Sequence, residues 1–397
     1  MIKVGIVGTG DRGTSFVKAI ERIPEMKVVA VVDINPIRME AVIKHHNYPP
    51  VEKFFSIDEF LKAKLVDIVF ITTPDWTHSE LIIRCLKEGY NVFCDKPLAI
   101  NEEQITEILK VSRQTNKMMF MGFNMRYKTL FRKMKEIAIN GEIGKILVGW
   151  SYSGYSGDGY FRRWHKFREK SGGLIVHKGC HTIDILNWIV DSYPVEVYAI
   201  GGLNVFGGDK RWEGCHKCEE TDTCPYARRL SEKDEGLLED IYIKAAAIDG
   251  YTRNYCVFGP TNVYDNYLVE ITYANGSKVS FTEIFFGTGL FFLGFAGDKG
   301  EILTDSFIKN TIILRKKIDS DIKEEIYKIE SETKEFHGGA DINMLQDMIE
   351  SLNTGKQILP GFVEGARAAI IGIAAMHSID TKKPIKISDL IPIELIV

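Results

Sequence analysis

The sequence predicts an α/β protein that opens with a parallel sheet covered by helices on both faces. Three observations carry this. Lys3 to Val7 is a short apolar run, Gly8-Thr9-Gly10-Asp11-Arg12-Gly13 follows at once, and Phe16, Val17 and Ile20 then begin a helical pattern. Apolar strand-like runs go on alternating with helical patterns as far as Met121, the signature of a doubly wound parallel sheet. At 397 residues the chain is too long for one ordinary core, so two domains are expected, over residues 1–122 and 123–397.

The first strand, glycine turn and helix give a G-x-G-x-x-G match the context it needs to bind a dinucleotide. Gly8 permits the tight turn, Gly10 the close approach of a pyrophosphate, and Gly13 the packing of helix on strand. The helix N-terminus offers free N–H groups to the phosphates. Lys27 to Val32 reads as the second strand, ended by Asp33, which lies 20 residues after Gly13. An acid there can hold ribose hydroxyls and repels a 2′-phosphate, which favours NAD over NADP; nearby Arg38 softens that choice. Strands are then expected over Val66–Thr72, Asn91–Cys94 and Met118–Met121, and helices over Thr77–Glu88 and Glu102–Thr115. Thr72-Thr73-Pro74-Asp75 and Asp95-Lys96-Pro97 fall at the carboxyl ends of strands, where ligands of such sheets bind. Candidate cofactor contacts are therefore Gly8, Thr9, Gly10, Asp11, Arg12, Gly13, Asp33 and Arg38, with Thr73, Pro74, His78 and Lys96 at the later strand ends.

Gly172-Gly173 introduces a helical pattern from Leu174 through Ile189. On it His177, His181 and Asp184 recur at i, i+4, i+7, which one helix would hold on one face within roughly 60° of arc. A histidine with pKa about 6.5 can take a hydroxyl proton at neutral pH, and a lysine beside that hydroxyl stabilises alkoxide charge. The competing reading is a core helix with hydrogen-bonded histidines. The glycines are expected to let the chain approach a ligand closely. Just upstream, Tyr160 to Arg168 interleaves basic and aromatic groups. Arg163, Trp164 and His165 suit a hydroxyl-rich substrate, against the alternative of a solvated loop with a packed Trp164.

Cys215-His216-Lys217-Cys218 and Cys224 form C-x-x-C-x5-C in a glycine- and charge-rich insertion near residues 207–240, and Cys256 follows in a strand-like Tyr255–Phe258. Four thiolates could close a structural zinc site; an iron–sulfur cluster or simply reduced thiols are the alternatives. Later runs at Leu268–Tyr273, Val279–Phe285 and Thr311–Arg315 read as strands, with Asn275-Gly276 as a hairpin turn. His337-Gly338-Gly339-Ala340-Asp341 opens a helix through Leu352, with His337 either a substrate contact or a helix-start residue. A last helix runs from about Val363 to His377.

A net charge of −4 with 26% charged residues gives no pull toward nucleic acid or acidic membrane. No signal-peptide pattern and no apolar run of 18 residues stands out, and the seven cysteines are an odd number. A cytoplasmic protein is expected, with no membrane or nucleic-acid partner.

In order, the glycine turn, Thr73-Pro74 with His78, Asp95-Lys96-Pro97, Phe123-Asn124-Met125-Arg126-Tyr127, Gly141-Glu142-Ile143-Gly144-Lys145, Gly172-Gly173 leading to His181 and Asp184, and Gly297-Asp298-Lys299-Gly300-Glu301 resemble the glucose–fructose oxidoreductase / inositol dehydrogenase (Gfo/Idh/MocA) family. The resemblance covers nearly the whole chain. It implies a Rossmann domain followed by an α+β domain with a large, open, mostly antiparallel sheet. That sheet commonly makes the interface of a homo-oligomer, here a dimer or tetramer. It also implies hydride exchange between a nicotinamide and a carbon of a carbohydrate substrate. Lys96 matches the family's catalytic lysine and His181 its catalytic histidine, with Arg126 a substrate candidate. Two departures stand out. Glu-Lys-Pro is Asp95-Lys96-Pro97 here, and the position four before the histidine, often Asp, is His177.

The leading reading is an NAD-dependent dehydrogenase. The alternatives are a glycosidase that transiently oxidises its sugar and regenerates NAD, a non-catalytic NAD-bound regulator, and a metal hydrolase built on His177, His181 and Asp184.

Overall fold

The computed structural model describes residues 1–210, 215, 218–228, 244–251, 255–305, 310–318, 321–330, 337–358 and 360–397. His216, Lys217 and much of the expected cysteine-rich insertion lie outside these.

β1 (Ile2–Val7), β2 (Met26–Val32), β3 (Glu52–Phe54), β4 (Ile68–Ile71), β5 (Asn91–Cys94) and β6 (Met119–Met121) form a parallel sheet in the order β3-β2-β1-β4-β5-β6. Its strands read as nearly continuous apolar runs because both faces are covered. Several covering helices carry caps in their own sequence. Asn35 accepts from Arg38 N ahead of Pro36–His45, Ser56 from Asp58 N ahead of Ile57–Ala63, and Asn101 from Gln104 N ahead of Glu102–Ser112. The order reverses between β1 and β4. The Gly8–Gly13 turn and the Thr72–Asp75 loop therefore flank one crevice at the strands' carboxyl ends.

The second sheet runs β14-β13-β12-β11-β7-β10-β9-β8-β15, comprising β7 (Ile146–Gly154), β8 (Pro194–Gly202), β9 (Asn266–Tyr273), β10 (Lys278–Ile284), β11 (Phe291–Gly297), β12 (Gly300–Asp305), β13 (Thr311–Ile318), β14 (Asp321–Lys328) and β15 (Ile385–Lys386). All of its pairings are antiparallel except β7 with β10. The β9–β10 hairpin turns at Asn275-Gly276 as expected, with Gly276 at φ +89°. Tyr255–Phe258 is not a strand: Gly259-Pro260 follows it, and Gly259 N donates back to Cys256 O in a turn.

Two apolar cores result. On one face of the first sheet Phe16 packs edge-on to Phe70 and Phe93, with ring centroids 5.5 and 5.0 Å apart. Met344, Leu345 and Met348 of the late helix Ala340–Thr354 join this core, so the chain returns to the first sheet. The other core runs from the opposite face of that sheet into the second. Its spine is the helix Phe362–Thr381, which touches β6, β8 and the His177 turn. By length and composition that helix could cross a membrane, a run the periodicity reading did not flag; 72% of its apolar window is buried inside the protein. Gly372 lets it approach closely, since a Cβ there would stand 3.0–3.2 Å from Val176.

Candidate active site

The glycine turn after β1 is shaped for a close ligand. Gly8 sits at φ +96°, where a Cβ would meet Thr73 at 2.9 Å, and a Cβ on Gly13 would meet Gly8 O at 2.1 Å. Thr72 Oγ1 donates to Gly8 O (2.8 Å), tying the turn to β4. Asp33 is buried and accepts from Thr9 N (2.9 Å), Thr9 Oγ1 (2.7 Å) and Asn35 N (2.9 Å). A backbone that no side chain can crowd, a helix N-terminus behind it and a carboxylate at the end of β2 fit a dinucleotide.

Across the crevice, the stretch after Gly172-Gly173 is not one regular helix. Ile175–Gly179 is a π-helical turn, followed by the α-helix Cys180–Val190. The wider turn breaks the single face expected for His177, His181 and Asp184, and π turns of this kind concentrate at functional sites. The glycines are required by packing within the protein: a Cβ on Gly172 (φ +69°) would meet Ile100 O at 2.7 Å, and one on Gly173 (φ +107°) Met376 Sδ at 2.8 Å.

His177 Nδ1 lies 2.6 Å from Asp75 Oδ2, with both side chains buried. Lys96 Nζ donates to His177 O at 2.9 Å. Burial pushes the His177 imidazole well below its usual range, helped by the Lys96 charge; burial pushes the Asp75 carboxyl well above its own, and Lys96 opposes that. Each shift alone would weaken an ion pair, so the two groups titrate as a unit. Next to the Lys96 charge, the state that retains a base is ionised Asp75 accepting from Nδ1–H of a neutral His177, which leaves Nε2 as acceptor. Aromatic rings wall this pair in. His165 is centred 4.3 Å from His177, Trp164 stacks on His165 at 3.8 Å, Tyr160 stands 5.5 Å from His177, and Trp76 meets Trp164 edge-on at 5.1 Å. His181 comes near the same place, with Nδ1 buried and unpartnered, and burial with the Lys96 and Lys178 charges keeps its ring neutral.

The remaining expected site residues are drawn into contacts with protein. Arg126 grips Asp184 with two bonds, Nε–Oδ2 2.7 Å and Nη2–Oδ1 2.6 Å, and burial pushes Asp184 up to about 6 against that pull. Arg12 lies between Asp95 (3.4 Å) and Asp341 (3.4 Å), and Asn124 Nδ2 also donates to Asp341 (2.9 Å). His337 stands just before the helix Ala340–Thr354, Nδ1 to Asp341 Oδ2 at 2.7 Å, with its imidazole half exposed. Burial works against ionising Asp341, yet the His337 hydrogen bond and the Arg12 charge hold it at about 2. Arg163 Nη1 reaches Asp11 Oδ2 at 2.8 Å and bridges the substrate stretch to the glycine turn. His78 is buried between Pro97 O (2.7 Å) and Thr73 O (2.9 Å), clamping the two strand-end loops. Thr73 and Pro74 lie in the first of those loops, beside Gly8.

Three residues escaped the sequence reading. Asp75 and Trp76 sit in a strand-end loop that was singled out, but nothing local pairs Asp75 with a histidine 102 positions away. Glu283, on β10, is buried beside Gly179 with both oxygens unpartnered among the described residues, and burial pushes its carboxyl well above the usual range despite Lys178 and Lys96. Its only sequence signal is a carboxylate on the inward face of an alternating strand.

The zinc and iron–sulfur expectation is not supported. Cys215, Cys218, Cys224 and Cys256 line one cavity with Arg162 and Tyr226, and all four are free thiols. Cys215 Sγ instead accepts from Arg162 Nη1 (3.4 Å) and Arg228 N (3.3 Å). Among the described residues no three His, Cys, Asp or Glu side chains form a group able to hold a metal ion. The same finding removes the metal hydrolase built on His177, His181 and Asp184, whose partners are Asp75 and Arg126.

A family model described as "Oxidoreductase family, NAD-binding Rossmann fold" (GFO_IDH_MocA) matches residues 2–123, and its companion C-terminal alpha/beta domain model matches residues 135–387. The chain is 28% identical over 365 residues to an oxidoreductase of Bacillus subtilis, YteT, covering 84% of each chain. It is 23% identical over 394 residues to myo-inositol 2-dehydrogenase of Thermotoga maritima, covering 98% of this chain and 100% of that one. Among solved structures, levoglucosan dehydrogenase in complex with NADH and levoglucosan superposes with a TM-score of 0.75 at 16% identity, over 97% of this chain and 99% of that chain. At that identity the likeness speaks for the fold.

The Arg126–Asp184 pair predicts a separable outcome. Arg126→Met leaves a buried carboxylate without its cation and should cost roughly 3–5 kcal/mol of stability, read from urea unfolding. A full-strength unfolding midpoint with a raised KM would instead assign Arg126 to substrate.

Proposed function

The chain belongs to the Gfo/Idh/MocA oxidoreductase family, and on that premise we propose that it is an NAD-dependent dehydrogenase acting on a secondary alcohol of a sugar, sugar derivative or cyclitol. The observation that carries this is the buried Asp75–His177 pair with Lys96 on the His177 carbonyl, set at the carboxyl ends of β4 and β5 beside the glycine turn. Its parts belong to residues 1–122 and 123–397, the two domains of this reading, so substrate lies between them.

The glycine turn would hold NAD, which would supply the nicotinamide as hydride acceptor for the alcohol carbon. The protein handles the proton. His177 Nε2 takes it from the substrate hydroxyl while Asp75 holds the ring by Nδ1 and steadies the imidazolium. Lys96 stabilises the negative charge that grows on the oxygen. Trp164, His165, Tyr160 and Trp76 exclude water and offer ring faces to a hydroxyl-rich ligand. The family's catalytic histidine position, His181, then serves as a second proton-transfer group.

One observation favours a second reading. His181 and Glu283, whose carboxyl burial pushes well above its usual range, would give two proton-transfer groups besides His177. A glycosidase that oxidises its sugar transiently and recycles NAD would use them.

A homo-oligomer is also part of this proposal. Ile200, Leu268, Thr282, Tyr152 and Phe292 lie side by side across the second sheet, and Ile200, Leu268 and Phe292 are exposed. Ultracentrifugation should read a dimer or tetramer; a monomer at micromolar concentration contradicts it.

The chemistry is tested on a panel of sugars and cyclitols. A dehydrogenase accumulates NADH with substrate, whereas the redox-assisted hydrolase turns over without net NADH. Lys96→Met should keep NAD affinity and lose roughly 10² or more in kcat. His177→Ala should cost a similar factor and more than His181→Ala; the reverse order makes His181 the base. Because burial raises the Asp75 carboxyl, the pair takes up its proton at higher pH than an ordinary Asp, so oxidation falls as pH falls through that step. Asp75→Asn should remove this acid limb along with most of the turnover.

A further inference from the structure

A short helix far along the chain, Ala245–Asp249, docks on the loop after β2, where an adenosine ribose is held in this fold. Asn35 ties it down. Its Nδ2 donates to Ala245 O (2.7 Å) and to Asp249 Oδ1 (2.9 Å), while its Oδ1 caps the next helix at Arg38 N (3.1 Å). Asp249 also ion-pairs with the Arg38 guanidinium, and both side chains are more than nine-tenths buried. The pair is a charge contact rather than a formed hydrogen bond: Arg38 Nε and Nη2 and Asp249 Oδ2 are buried with no hydrogen-bond partner among the described residues. Asp33, two residues before Asn35, is the carboxylate at the end of the same strand.

Resting on the NAD-binding reading above, we infer that Ala245–Asp249 is the outer wall of the adenosine subsite and that Asp249 is a specificity-determining residue for the unphosphorylated dinucleotide. A 2′-phosphate needs a cation, and Arg38, in the first turn of the helix Pro36–His45 that follows this loop, is the guanidinium that could offer one. Asp249 consumes that charge and adds a second carboxylate to Asp33, so a 2′-phosphate would meet repulsion where it needs a partner. The ribose hydroxyls of NAD carry no such charge and can still use Asp33. Rejection therefore comes from a group contributed late in the chain, in addition to the acid at the end of β2.

Calorimetric titration of the intact protein with NAD and with NADP tests this. Asp249→Asn retains the side-chain shape and an oxygen for Asn35, and frees Arg38. It should shift the NADP:NAD affinity ratio toward NADP by roughly tenfold or more. Adding Arg38→Ala to Asp249→Asn should abolish that gain. An unchanged ratio in Asp249→Asn, or a gain that survives removal of Arg38, overturns the inference. Failure of the unaltered protein to bind NAD at all would instead defeat the underlying reading, and the two failures are distinct.

Discussion

The hydrogen bond between His177 and Asp75 is the contact on which the candidate site depends. It joins a loop at the end of the first sheet to a turn that packs under the second, and both partners are buried. A lone carboxylate or a lone imidazolium there would be costly to desolvate; together they need only one proton on their shared edge. Lys96 binds the carbonyl of the same histidine, so one residue is fixed from its ring and from its backbone. The neighbouring parts follow from this. The π turn at Ile175–Gly179 presents His177, Gly372 lets the C-terminal helix buttress that turn, and Arg126 locks Asp184 one helical turn beyond His181.

That arrangement answers the departure visible in the sequence. Where family members often carry a carboxylate four residues before the histidine, this chain has His177, and a carboxylate is found instead across the crevice at Asp75. In the proposed chemistry the Asp75 carboxylate would stabilise the charge that His177 acquires on taking a proton.

The Rossmann half was legible because its signals are local. An apolar run, a glycine turn and an acid at the next strand end are neighbours in sequence, and β5 falls on the very residues expected, Asn91–Cys94. Lys96 was legible for the same reason, as a charge at a strand end. What was hidden is non-local. The i, i+4, i+7 spacing assumed 3.6 residues per turn, and the π turn redistributed it: His177 to Asp75, Asp184 to Arg126. The packing need for Gly172 and Gly173 was also hidden, because Ile100 and Met376 meet them from far along the chain. Cysteine spacing pointed to a metal, and four thiols do line one cavity, but among the described residues they form no group able to hold an ion. Asn35 and Asp249 meet across 214 positions, which periodicity cannot foresee.

The proposed role of His177 depends on which of its ring nitrogens carries the proton. Nitrogen-15 NMR of histidine-labelled protein, with His177→Gln used to assign the signal, reads this directly. At alkaline pH the expected signal is that of a neutral His177 ring protonated at Nδ1, with Nε2 bare. A ring protonated at Nε2 alone, or a charged imidazolium under the same conditions, would contradict it.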